Sequence, residues 1–170
     1  MKDLVRQKIS INIDIMDLLN EQIAMEADAS ASYLAMASWC DQHALTHSAE
    51  FFYDQSAEER EHMMKIFRFV NDNGGAALSP QIGKVAHNYS SLQEVFELAL
   101  DQEIKVTKSI NNIIQQCRKK ADFGTENFLQ WFVQEQLEEE QKMRRVLDLI
   151  ELMGTDGIAL RLIDERVKEA

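Results

Sequence analysis

The sequence predicts an all-α chain, a four-helix bundle with one long crossover and a short fifth helix at the C-terminal end. Three observations carry this. Only one proline, Pro80, and six glycines interrupt 170 residues, which leaves long stretches able to stay helical. Four of those stretches carry apolar residues at alternating steps of three and four. The links between them are short, long and short in turn.

The first helix is expected over about 12–42, the second over 46–73, the third over 91–119 and the fourth over 125–153. Ser91 and Glu94 have the spacing of a capping box at the start of the third helix. Thr46, Thr125 and Thr155 are expected as N-caps, and Gly74-Gly75 and Gly154 as stop signals. Beyond Gly154, the segment TDGIALRLIDERVKE is amphipathic and is expected to form the fifth helix over about 155–169, with Ile158, Leu162 and Ile163 on one side.

Link lengths set the topology. Short links make the first and second helices, and the third and fourth, antiparallel hairpins. A helix of about 28 residues is about 42 Å long. The segment from Gly74 to Ser90 can span roughly 56 Å when extended, enough to return along the whole bundle. The second and third helices are then parallel. One domain is expected over 1–170, its core over about 12–153; residues 1–11 suggest no role.

Composition narrows the function. The formal charge is −11, with 29 acidic against 18 basic residues, and no Lys/Arg-rich tail is present, so a nucleic-acid partner is not expected. An acidic chain suits cations. No apolar run long enough to span a bilayer and no signal-peptide core are present, so neither a membrane span nor export is expected. Cys40 and Cys117 make no disulfide framework; they fall on inward stripes at opposite ends of the bundle, and a cytoplasmic setting follows.

The stripes break in the middle. They run Leu19, Ile23, Glu26, Ser30, Tyr33, Ala37, Cys40 in the first helix and Phe52, Gln55, Glu59, His62, Ile66, Phe69 in the second. The third gives Leu92, Phe96, Ala99, Glu103, Val106, Ile110, Ile113, Cys117, and the fourth Leu129, Phe132, Gln136, Glu139, Met143, Val146, Ile150, Met153. Each carries a glutamate near its midpoint, so four carboxylates meet in one layer with His62 and Gln136 beside them. A lone mid-helix glutamate is ordinarily a snorkelling side chain. Four buried together repel and take up protons unless cations neutralise them. Four negative charges match two divalent metal ions.

An internal repeat supports the same layer. The step from Glu26 to Glu59 equals the step from Glu103 to Gln136, and the step from Glu26 to His62 equals that from Glu103 to Glu139. One constant shift maps the first half of the chain onto the second, and it also carries Cys40 onto Cys117. Two hairpins related by a pseudo-twofold axis each supply half of a dinuclear site. His43, His47 and His87 fall near helix ends or in the crossover and are expected at the surface.

Four segments carry a resemblance: residues 18–40, SAEEREHM over 56–63, the stretch around Asp101-Gln102-Glu103, and NFLQWFVQEQLEEEQ over 127–141. In these the chain resembles the bacterial non-haem ferritins. Glu59-x-x-His62 is common to di-iron carboxylate bundles, and Glu135-Gln136-x-Glu138-Glu139 is similar to the ferritin pattern. The resemblance implies a first iron site at Glu26, Glu59 and His62, with Glu59 bridging. It implies a second at Glu103 and Glu139 with Gln136 beside it, and a third at Glu58, Glu135 and Glu138 with Glu139 shared. Tyr33 and Trp131 match aromatic residues beside the centre.

The resemblance further implies ferroxidase activity, Fe(II) and dioxygen as substrates, and storage of Fe(III) as a hydrated oxide within a hollow shell of 24 identical subunits. Bacterioferritins carry Glu-x-x-His in both halves and a haem-ligating methionine after the bridging glutamate. Here the second half has Gln136-x-x-Glu139 and Arg60 follows Glu59, so an asymmetric site without haem is expected. Alternatives stay open at three points. The third-site glutamates also fit a solvated acidic face, and Tyr33 also fits plain core packing. The whole also fits a di-iron or di-manganese redox enzyme acting on another substrate. A helical module without catalysis would leave the metal layer unexplained.

Overall fold

The computed structural model describes residues 9–169. Helix α1 runs Ile13–Gln42, α2 Thr46–Asp72, α3 Leu92–Lys120, α4 Phe123–Met153 and α5 Gly157–Val167. No strand occurs among the described residues. The all-α bundle with a short fifth helix is therefore as the sequence predicts.

The crossover covers residues 73–91 and travels along α1. Asn20 anchors its start, accepting from Leu78 N at 2.8 Å and donating to Ala76 O at 3.1 Å. Asp28 holds the middle by accepting from Gly83 N at 2.7 Å. Tyr89 near its end stacks edge-on against Trp39. Contacts advancing from Asn20 to Trp39 carry the chain back to the far end of α1, so α3 packs on α1, starts at the end of the bundle where α2 starts and runs parallel to α2. Gly74 turns the chain with φ 80°. At Gly75 a Cβ would stand 2.9 Å from Val70 Cγ1 and 3.0 Å from Val70 O, so any larger residue would force its neighbours to shift.

The predicted stripes are the buried faces. Among the stripe residues, only Ser30, Phe69 and Met153 are not fully buried. The core divides into two apolar clusters on either side of the polar layer. One gathers Trp39, Phe52, Phe96, Met143 and Ile163; the other gathers Leu19, Ile66, Ile113, Leu129 and Phe132. Cys40 lies in the first and Cys117 in the second, both as free buried thiols. Burial pushes the Cys40 thiol up to about 12 and the Cys117 thiol to about 11, so both behave as small hydrophobes.

The pseudo-twofold reaches the helix ends. Ala44 and Ala121, equivalent in the repeat, both adopt φ 56° in the left-handed region. In each case the following residue donates back to a cysteine carbonyl: Leu45 N to Cys40 O at 3.0 Å, and Asp122 N to Cys117 O at 2.9 Å. These are matched Schellman closures.

Three N-terminal expectations need correction. Thr125 does not cap α4; Asp122 does, accepting from Thr125 N at 3.1 Å. Thr155 does not cap α5; Asp156 does, accepting from Ile158 and Ala159. Thr46 does not cap α2, where Leu45 holds the N-cap position without a side-chain hydrogen bond. The acceptor there comes from α5. Asp164 accepts from Ser48 N at 2.8 Å, from the Ser48 hydroxyl at 2.7 Å and from His47 N at 3.3 Å. In all three places an aspartate carboxylate, longer than the threonine hydroxyl arm and negatively charged, takes the open N–H groups. The Ser91 capping expectation is met, with Ser91 Oγ accepting from Glu94 N at 3.1 Å. The Glu94 carboxylate reaches back to Ser90.

The fifth helix also turns differently from the reading of one apolar side. Ala159, Ile163 and Val167 face the bundle, whereas Ile158 is 78% and Leu162 43% exposed. The Asp164 cap fixes the rotation, and it places Ile163 inward beside it.

Candidate metal centre

The four mid-helix glutamates are buried side by side. Glu26, Glu103 and Glu139 are fully buried and Glu59 is 2% exposed. His62, Gln136 and Tyr33 are buried with them. One ligand atom each of Glu26, Glu59 and His62 fall within 4.8 Å of one another, close enough to hold a single cation in the first half of the site. His62 Nδ1 approaches Glu59 Oε2 at 3.4 Å but finds no hydrogen-bond partner. Glu26 Oε2 and Glu139 Oε2 are likewise buried and unpartnered. Oxygen and nitrogen donors left open in a buried layer are what a hard or borderline divalent cation takes.

Glu103 on α3 joins the halves. The Tyr33 hydroxyl on α1 donates to its Oε1, and Gln136 Nε2 on α4 donates to its Oε2 at 2.9 Å. Gln136 thus sits next to Glu103, as expected. Gln22 Nε2 donates to Glu26 Oε1 at 2.8 Å.

Electrostatics follow burial. Glu26 and Glu59 are raised well above the usual carboxylate range, first by desolvation and then by the charge of a neighbouring glutamate, Glu59 in one case and Glu103 in the other. Glu103 rises to about 7 through burial, with the Tyr33 and Gln136 hydrogen bonds opposing. Glu139 is raised by burial and held back by Lys142, whose Nζ donates to Glu139 Oε1 at 2.9 Å and to Glu58 Oε2 at 3.3 Å. Burial therefore favours the protonated carboxylates in this layer.

The remaining expected residues are spread along the α2–α4 side. Glu58, His62, Trp131 and Glu135 line a cleft of about 720 Å³. Trp131 meets the His62 ring edge-on at a centroid distance of 5.3 Å, which fixes the imidazole plane. Glu138 is exposed and accepts from Gln134 at 3.3 Å. His43 and His87 are exposed and His47 is half-buried.

Sequence reasoning missed Gln22, Gln55 and Lys142. Gln55 donates to Glu58 and is 2% exposed. A signal for the glutamines was present: the step from Gln22 to Gln55 is the same as the step from Glu26 to Glu59. Nothing marks Lys142, because a lysine one turn beyond a glutamate is an ordinary surface pair.

Residues 16–153 match the model of the ferritin-like domain. The chain is 39% identical over 152 residues to a probable bacterial non-heme ferritin-like protein of Haemophilus influenzae, covering 89% of this chain and 92% of that protein. It is 36% identical to the bacterial non-heme ferritin of Campylobacter jejuni, covering 91% and 93%. The open pore ferritin of Archaeoglobus fulgidus superposes with a TM-score of 0.91 at 33% identity, over 95% of this chain and 98% of that one. With the fold, the buried four-glutamate layer and these relatives in agreement, the chain belongs to the ferritin family.

Proposed function

We propose that this chain is a subunit of an iron-storage cage that oxidises Fe(II) with dioxygen and keeps the Fe(III) product as a hydrated oxide. The observation that carries the proposal is the approach of Glu26, Glu59 and His62 to within 4.8 Å inside a layer holding two further buried glutamates. Carboxylate and imidazole bind Fe(II), and the anionic carboxylates hold the harder Fe(III) more strongly still, which favours electron loss to dioxygen. Glu26, Glu59 and His62 take one ion; Glu103 and Glu139, with Gln136 beside them, take the other; Glu59 spans both. Two ions on one carboxylate supply two electrons together, so that dioxygen need not leave as superoxide.

Tyr33 holds Glu103 in place and lies close enough to the centre to act as an electron donor. Glu58 and Glu135, with Glu138 and Glu139, form the proposed third stop for iron leaving the pair. The shell proposed is of 24 subunits, with no haem, since the exposed side chain after Glu59 is Arg60. Two free thiols suit a cytoplasmic setting.

The test is anaerobic loading with two Fe(II) per subunit followed by admission of oxygen, with absorbance and oxygen uptake recorded. Fast oxidation at that ratio is expected, together with a native mass near 24 times the 19.6 kDa subunit. A small oligomer, or oxidation no faster than that of free Fe(II), would refute the reading.

A further inference from the structure

The structure assigns Lys142 a part in this site: its ammonium is a resident counter-cation in the place a divalent ion would take between Glu58 and Glu139, so that metal must exchange with it. The inference rests on the proposed metal centre and concerns a residue outside its ligand set. Lys142 Nζ lies 2.9 Å from Glu139 Oε1 and 3.3 Å from Glu58 Oε2, bridging α4 to α2. Those two oxygens are the ones a cation would need there, so ammonium and metal exclude each other.

The two ends of this bridge differ in character. The Glu139 side chain is fully buried, whereas Glu58 is 46% and Lys142 25% exposed. The lysine can therefore swing its head to solvent about its flexible stem while the carboxylates remain. Glu139 keeps its second oxygen, Oε2, unpartnered and buried, while Lys142 occupies the first. Gln55 completes the clasp by donating to the same Glu58 oxygen.

The internal repeat provides a control within the chain. Lys65 is the equivalent of Lys142 in the first half, following His62 by the same step as Lys142 follows Glu139. Its neighbouring ligand is an imidazole, which offers no anionic partner, and Lys65 lies over the Trp131 ring at 3.9 Å instead. Only the half that presents a carboxylate draws its lysine into the site. An ammonium there offsets one of the two carboxylate charges before metal arrives and after it departs.

The test uses the assembled protein, prepared metal-free, and Co(II), which dioxygen does not oxidise under these conditions. Calorimetric titration gives the number and affinity of ions in the wild type, Lys142→Met and Lys142→Arg. The Met variant keeps the stem and removes the charge. We expect it to bind an additional ion, or to bind its weakest ion roughly tenfold more tightly, the scale of one unit charge a few ångströms away. The Arg variant should behave as the wild type. Crystals of Lys142→Met soaked in Co(II) should show an anomalous peak between Glu58 and Glu139. Equal ion counts and affinities in wild type and Lys142→Met would overturn the proposal, whatever the wild-type count. A lower melting temperature of the metal-free Met variant, with unchanged Co(II) binding, would reduce Lys142 to a structural ion pair. A wild type that binds no Co(II) tightly would refute the metal centre itself, and this is read independently of the difference between variants.

Discussion

Tyr33 on α1 donates its hydroxyl to Glu103 on α3, so one half of the chain sets the protonation of a carboxylate in the other. Burial raises Glu103 to about 7, and this hydrogen bond is the largest influence pulling it down. Tyr33→Phe should therefore move the Glu103 titration above about 7. Infrared spectra of the metal-free protein with labelled glutamate should show the protonated carboxyl band persisting to higher pH. A band that titrates at the wild-type pH would show that the contact does not act on Glu103.

The same group gives a pH dependence with a definite sign. Its folded value of about 7 stands above the usual carboxylate value of 4.5, so the folded chain binds more protons than the unfolded chain between these limits. Stability of the metal-free protein should fall as pH rises through that window, with Glu103 contributing a few kcal/mol at most and the other raised glutamates adding to the same slope. Glu103→Gln should flatten this slope. Thermal melts at several pH values from below to above that window provide the measurement; stability that rises across it and is insensitive to Glu103→Gln would contradict the assignment.

Glu59→Ala should slow the fast phase of Fe(II) oxidation at least roughly a hundredfold, the scale of losing a ligand essential to the reaction. Because it also removes one of four crowded carboxylates, the metal-free protein should melt at an equal or higher temperature. Stopped-flow oxidation at two Fe(II) per subunit, with calorimetry of the metal-free form, separates these effects. Wild-type rates would remove Glu59 from the centre.

Asp164 does for α2 what Asp122 does for α4. Ser48 and Thr125 occupy equivalent places in the repeat, and each gives its backbone N–H and its hydroxyl to an aspartate. At the first site the local position is filled by Leu45, and the carboxylate arrives from α5. Asp164→Ala should cost about 1–3 kcal/mol and loosen α5, since it uncaps one helix and leaves buried donors open. Hydrogen exchange should rise at the first turn of α2 and throughout α5. Deleting residues from Thr155 onward should produce the same exposure in α2 and weaken the shell, as seen by sedimentation. Unchanged protection in α2 would deny the cap.

Ala44 and Ala121 hold left-handed backbone that favours glycine. Ala44→Gly and Ala121→Gly should each stabilise the chain by roughly 0.5–1 kcal/mol, the strain relieved outweighing the entropy that glycine loses. Chemical denaturation of single and double variants would check both the sign and additivity; loss of stability at either position would mean that the alanine methyl packs favourably.

Much of the bundle and its polar layer was legible because periodicity is local. Glu26, Glu59, Glu103 and Glu139 each stand on a stripe whose other members must be buried, and the matched steps between the two halves place them together. The facing of α5 was not legible. Ile158, Leu162 and Ile163 form an apolar side by spacing, but the pairing of Asp164 with the distant Ser48 decides which residues turn inward. Lys142 was hidden for a similar reason. Its partner Glu58 lies on another helix, and pairs that depend on tertiary approach leave no mark in the spacing of either.

A homodimer of one helical hairpin would be obliged to repeat every ligand across its axis. Here both hairpins belong to one chain, and the obligation lapses. Histidine at 62 answers glutamate at 139, Glu59 answers Gln136, and Lys65 and Lys142 take different partners. Covalent linkage through the crossover lets a substitution enter one half without its image in the other. A catalytic centre whose two ions differ in ligand strength is thereby open to a fused chain and closed to a symmetric pair.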